Sequence, residues 1–341
     1  MKAAVLKEFG QPLAIEEVPQ PTPAVGEVRI KVMACGIDGT DLKLVEGFGY
    51  RPELPLILGH ETAGVIDAVG HGVTHLEIGQ PVITYNFVIP PENPWYQSPR
   101  EQLCPDVTRV IGVKEIAGGY AEYCTVPAQQ IVPLPEGINW PDAAVLVDAG
   151  ITAYHAVDRS RLKLGESVLV TGVGGVGSFV VQLARKLGAR VMAVDRGKAK
   201  VKRALQLGAH VAFDADQTDV VEAVRSETAG RGVDCVLDIV GLRETLSAGI
   251  DTLAVGGRLV IVGYTPDEYP VSGKRMAQNE LEIIGTRCGP RSDLHKIASL
   301  MADGSLQSIV TDRRPLEEAN EALDQLRRGD VLGRLVLEPA R

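Results

Sequence analysis

Residues 167–177 read SVLVTGVGGVG, a short apolar run that leads straight into glycines. Gly172, Gly174 and Gly177 stand in a G-x-G-x-x-G frame. In that frame the first glycine permits a tight turn, the second lets the backbone approach a pyrophosphate, and the third lets the next helix pack on the strand. The spacing after the turn is helical: Val176, Phe179, Val180, Leu183, Ala184 and Leu187 recur at steps of three and four. A helix N-terminus placed there offers N–H groups and a positive dipole end to phosphates. Asp195 ends the next apolar run, 189–195. A carboxylate at that point accepts hydrogen bonds from the adenosine ribose hydroxyls and repels a 2′-phosphate, which favours NAD over NADP. Gly172, Gly174, Gly175, Val176, Gly177 and Asp195 are the expected cofactor contacts, and the neighbouring Arg196 would soften the NAD preference. The alternative is a glycine-rich turn with a chance Asp.

The alternation continues past the loop. Helices are expected near 198–207, 218–228 and 242–253, between strands at 210–214, 234–240 and 257–263. Strands alternating with helices mean βαβ units and a parallel sheet. Further helices are expected near 291–301 and 316–328, and a last strand at 333–338. The first 150 or so residues read instead as short strands and loops. In VRIKVMA (28–34), Val28, Ile30 and Val32 alternate with Arg29, Lys31 and Met33, the period of a strand with one buried face. Residues 86–105 hold five prolines without a regular period and are expected to form an irregular lobe.

At 341 residues the chain is long for one core and points to two domains. Thirty-five basic against 44 acidic residues give a net charge of −9 with no basic run, which argues against nucleic acid or an anionic membrane as partner. No stretch of roughly 18 apolar residues is present, and the N-terminus does not resemble a signal peptide. Five scattered cysteines with no C-x-x-C spacing argue against a disulfide framework and for a reducing cytoplasm.

With its dinucleotide loop in the second half, the chain resembles the medium-chain dehydrogenase/reductase superfamily, and within it the zinc-dependent alcohol dehydrogenases. The likeness runs along the whole length. Its carriers are GIDGTDLK, LPLILGHETAGVI (54–66), GGYAEYCTVPA (118–128), LVDAGITAYHA (146–156), VLVTGVGGVG (168–177), IIGTRCGPRSDL (283–294) and GRLVL (333–337). The resemblance implies an α/β and β architecture: a GroES-like catalytic domain from 1–149 and 286–341, with a Rossmann domain, a doubly wound parallel sheet, inserted at 150–285. It also implies a homodimer or homotetramer.

The family pattern has a Cys as first zinc ligand, a His in GHE as second, and a Cys, Asp or Glu before the cofactor domain as third. Those places hold Asp38, His60 and Asp148 here. Zinc accepts carboxylate oxygen as well as thiolate sulfur, and Asp⁻ for Cys⁻ leaves the ligand charge unchanged. An oxygen-rich site holds zinc less selectively. Glu61 adds a carboxylate within reach as an exchangeable ligand. The opposite reading makes Asp38 and Asp148 solvated loop residues at a site that has lost its metal. A second, structural zinc is not expected, because its four cysteine places hold Pro90, Asn93, Tyr96 and Cys104; prolines and Trp95 would pack that lobe instead.

By the same resemblance, a Lewis acid at this site eases alkoxide formation from an alcohol, and hydride passes to NAD⁺. Thr40 matches the hydroxyl that relays the alcohol proton, or else caps a helix. Asp41 would fix the tautomer of His60. Lys43 stands where some members carry a His, which puts the outer proton route in question. Thr152 is expected near the nicotinamide, Val262 and Gly263 to offer backbone to the carboxamide, and Arg334 to contact the pyrophosphate or to stand solvated. Competing readings are a metal-free quinone or enone reductase using NAD(P)H, and a catalytically silent NAD-binding protein. The substrate itself is not legible.

Overall fold

The structure, a computed structural model, describes residues 1–340. It divides into two compact units, Thr152–Cys288 and a unit made of Met1–Ile151 with Gly289 to the C-terminus. The boundaries expected from sequence were 149/150 and 285/286.

The Thr152–Cys288 unit is built on a six-stranded sheet, parallel throughout. In chain order its strands are Ser167–Thr171, Arg190–Asp195, Val211–Asp214, Val233–Asp238, Leu253–Ile261 and Glu282–Gly285. Across the sheet they lie third, second, first, fourth, fifth, sixth, the doubly wound order in which the chain reverses direction beside the first strand. All five positions of Ser167–Thr171 are buried. A strand covered on both faces reads as an unbroken apolar run, as VLV does here. Helix Gly175–Lys186 turns Phe179, Val180, Leu183 and Ala184 inward, the face that the sequence spacing marks. Leu169, Met192, Val194, Val236 and Leu259 make one core, and each such buried side chain contributes about 1.5–3 kcal/mol. Two of its helices were not expected, Ile151–Ser160 and Gly273–Asn279. Gly273–Asn279 buries no residue, so no apolar stripe marks it.

The other unit carries a seven-stranded sheet. Along it lie Ile131–Pro133, Pro81–Thr84, Glu61–Val69, Glu27–Ile37, Arg334–Leu337 and Val310–Arg314, with Tyr123–Pro127 also paired to Glu27–Ile37. The C-terminal strand thus returns to the N-terminal sheet, with Val336 opposite Gly36 and Leu335 opposite Ile37. On the other side of the same strand Glu61 stands opposite Gly36. Helices Gly39–Val45 and Trp140–Val145 replace what read as loop. In the second, Pro141 through Val145 are all buried, so the polar face that makes a helix periodic in sequence is missing. No helix among the described residues is long and apolar enough to cross a membrane.

Candidate active site

Helix Gly39–Val45 opens on Asp38, whose Oδ1 accepts the Thr40 amide at 2.7 Å and the Asp41 amide at 3.3 Å. A side-chain oxygen at that place satisfies donors that have no partner inside the helix. Asp41 reciprocates by accepting the Asp38 amide at 3.1 Å, completing a capping box. Capping engages one oxygen of Asp38 and directs the other elsewhere: Oδ2 lies 3.7 Å from His60 Nε2. Asp148 Oδ2 lies 3.8 Å from the same nitrogen. One donor atom from each of Asp38, His60 and Asp148 falls within 4.8 Å of the other two. Donors about 2.1 Å from a tetrahedral ion stand about 3.4 Å apart, so small side-chain rotations close this triad on a metal.

The far side of the imidazole is equally defined. His60 Nδ1 lies 3.3 Å from Asp41 Oδ1, and Tyr120 donates its hydroxyl to Asp41 Oδ2 at 2.8 Å. Asp41 is completely buried. A carboxylate on Nδ1 fixes the proton there and leaves the Nε2 lone pair facing the two aspartates. Burial works against charge on His60, but Asp38, Asp41 and Asp148 outweigh it and push the ring well above its ordinary value. Burial raises the Asp38 carboxyl, yet His60, Arg334 and the Thr40 amide together hold it below the usual carboxylate range. A field that retains a proton so firmly also draws a dication, and two carboxylates with a neutral imidazole balance one. The donor set fits a divalent metal.

Asp148 stands on a π-helical turn, Leu146–Gly150, between helices Trp140–Val145 and Ile151–Ser160. Such widened turns are rare and collect at functional sites. Ile151 ends one unit and Thr152, largely buried, opens the other.

In the Rossmann unit the glycines take separate roles. Gly172 has φ +87°, the left-handed region that favours glycine. A Cβ on Gly177 would collide with the Gly172 carbonyl, whereas one on Gly174 would meet nothing. Gly174 caps helix Gly175–Lys186 and leaves open space where a phosphate would approach. Gly175 and Val176 form the first turn of that helix. Asp195 accepts the Val173 amide at 2.6 Å through Oδ2 and the Arg196 amide at 2.7 Å through Oδ1. It therefore fixes the glycine loop. A cavity of about 460 Å³ adjoins it, lined by Gly172, Asp195, Arg196, Val240, Leu242 and Thr245 among others.

Comparison with known proteins settles the kinship. The alcohol dehydrogenase GroES-like domain matches residues 24–136, and the zinc-binding dehydrogenase family matches residues 175–303. An alcohol dehydrogenase of Geobacillus stearothermophilus is 35% identical over 340 residues, 99% of each chain. The chain belongs to the zinc-dependent alcohol dehydrogenases. An NAD-dependent alcohol dehydrogenase of Sulfolobus acidocaldarius is 34% identical over 348 residues, again 99% of each chain. The crystal structure of the alcohol dehydrogenase from the archaeon Aeropyrum pernix superposes with a TM-score of 0.93 at 36% identity, covering 99% of this chain and 100% of that one.

Several details of this alcohol dehydrogenase differ from what its sequence led us to expect. Glu61 has no oxygen turned to the triad: Oε1 accepts the Ala149 amide at 2.9 Å, and Oε2 pairs with Arg334. Burial pushes its carboxyl up to about 7, with Arg334 pulling against that and Asp38 and Asp148 adding to it. Arg334 is neither solvated nor an arm held out to a pyrophosphate; it is 5% exposed and bound to Glu61. Asp38, not Thr40, caps the helix. The amides of Val262 and Gly263 both donate to the Asp238 carbonyl, at 2.9 and 3.1 Å, which leaves carbonyls as the backbone they offer. The lobe at 86–105 is not packed by its prolines, which are exposed. Glu101, 1% exposed, accepts the Arg291 amide at 2.6 Å. The Arg291 guanidinium covers the rings of Tyr85 and Tyr96 at 4.8 and 5.8 Å. Cys104 is buried with Sγ 3.9 Å from Asn93 Oδ1. Tyr120 and Gly36 escaped the sequence reading, although Tyr120 lies in the recognised GGYAEY segment.

Proposed function

We propose that this NAD-dependent alcohol dehydrogenase oxidises alcohols, or reduces the matching carbonyls, at a zinc site made by Asp38, His60 and Asp148. The observation that carries the reading is His60, with Nδ1 set by Asp41 and Nε2 aimed at both aspartates. Zinc bound by these three supplies a Lewis acid for an alcohol oxygen, and NAD supplies the hydride acceptor. Tyr120 and Asp41 hold the imidazole in its ligating tautomer. Thr40, in the first turn of the helix that Asp38 caps, takes the alcohol proton. Lys43, one turn further on, is half-buried, and burial lowers its pKa against the pull of Asp38. It stands where some members carry an imidazole and is the next basic group on that helix. Asp195 selects the ribose.

Cys35, Cys104, Cys124 and Cys235 are buried and form no disulfide, which fits work in a reducing cytoplasm. Strand Glu282–Gly285 ends the parallel sheet with Ile283 38% exposed, an edge suited to pairing in a homodimer or homotetramer. The deciding test is metal analysis of protein purified without chelators or a metal-affinity tag, alongside NAD-linked oxidation of a panel of alcohols and polyols. About one zinc per chain with turnover of a panel member is expected. A metal-free protein that reduces enones instead would overturn the reading.

A further inference from the structure

Glu61 follows the central ligand His60 directly, yet its carboxylate is directed across the sheet. Residues directly opposite one another in antiparallel strands share a face, as do residues two apart along one strand. Glu61 faces Gly36, Gly36 faces Val336, and Arg334 lies two before Val336. All four therefore stand on one face, with the middle strand between the carboxylate and the guanidinium. Only a residue without a side chain lets them meet: a Cβ on Gly36 would fall on Glu61 Oε2. The pair is buried, with Glu61 at 0% and Arg334 at 5% exposure. Through its other oxygen Glu61 takes the Ala149 amide at 2.9 Å. Ala149 is the residue after Asp148, inside the π-helical turn. On another side that turn packs against Ile297, which lies 3.4 Å from a Cβ built on Gly150.

We propose that Glu61 is a positioning residue: held by Arg334 in the space left by Gly36, it anchors the Ala149 amide and so sets where the Asp148 carboxylate stands for the metal. This rests on Asp38, His60 and Asp148 holding the metal. It separates two roles a carboxylate beside a metal can play. A ligand gives its oxygen to the ion; Glu61 gives one oxygen to a backbone amide and the other to a guanidinium. Its effect on the ion passes through the turn.

Cobalt-substituted protein reads the difference, because its visible absorption reports ligand geometry and its affinity can be measured by chelator competition. Glu61→Ala should shift the cobalt band and weaken binding by roughly 10–100-fold, the usual effect of losing a residue that orients a ligand. Glu61→Gln keeps an acceptor for Ala149 and should restore most of that loss. If Glu61 were a ligand, the amide would be about as harmful as alanine, and that result would overturn the proposal. Should Glu61→Ala not fold, the double variant Glu61→Leu with Arg334→Met removes both charges together, a replacement buried ion pairs often tolerate. It should reproduce the band shift. Wild-type protein that binds cobalt while all these variants keep its spectrum and affinity would overturn the positioning role alone. Wild-type protein that takes up no cobalt would overturn the metal reading, and this proposal with it.

Discussion

Asp38 is asked to do two things with two oxygens. Oδ1 caps a helix and Oδ2 faces His60, whereas the cysteine usual at this place offers one sulfur and caps poorly. Asp38→Cys should therefore separate the roles. Zinc should be retained longer against a chelator, because thiolate suits zinc better than carboxylate. The metal-free form should lose about 1 kcal/mol from the missing cap, measured by denaturant unfolding in the presence of chelator. Asp195 is similarly double, since the carboxylate we propose as the ribose contact also holds the Val173 amide. Asp195→Ala should shift the NAD/NADP preference toward NADP by about tenfold, the value of one or two hydrogen bonds, and weaken NAD binding as well. Steady-state kinetics with both cofactors would check this; an unchanged preference would remove Asp195 from the ribose site.

At the scale of elements, what the chain needs is agreement between strand ends distant in sequence. Asp234, entering the fourth strand of the parallel sheet, accepts both the amide and the hydroxyl of Ser167, at 2.7 Å each, at the start of the first. Arg231, the Ser167 donors and a modest opposing effect of burial set its carboxyl below the ordinary value, Arg231 most strongly. A depressed carboxylate stabilises the fold above its unfolded value of about 3.9, and that contribution is lost as pH falls through the folded value. Arg231 is largely exposed and its charge is screened, so Asp234→Ala should cost about 1.5 kcal/mol at neutral pH, chiefly through the Ser167 bonds. The gap between wild type and variant should narrow below about pH 4. Urea unfolding at several pH values measures it, and a gap that widens on acidification would contradict the assignment. The π-helical turn is the element least visible beforehand: LVDAG carries nothing that sets it apart from an ordinary helix, and its anchor, Glu61, lies 88 residues away.

Taken as a whole molecule, the chain keeps the Asp38, His60 and Asp148 cluster in one unit and its glycine loop in the other. Chelation should accordingly abolish alcohol oxidation while leaving far-UV circular dichroism and NAD binding by titration calorimetry close to those of the zinc form. Loss of NAD binding on metal removal would show that the Rossmann unit depends on the ion. The sequence alone determined this division of labour. The glycine frame, the helical spacing after it and Asp195 are local signals. Local signals survive in sequence because turn geometry and amphipathic periodicity involve neighbours only. His60 and Asp148 were legible by their place in a pattern, and Asp38 by standing where a ligand belongs. Tertiary structure alone decided what holds them. Tyr120 reaches Asp41 from 79 residues away, and Arg334 reaches Glu61 from 273. Those partners meet because antiparallel register lays three strands side by side and glycine leaves the middle one bare, a relation between distant segments that no local pattern records.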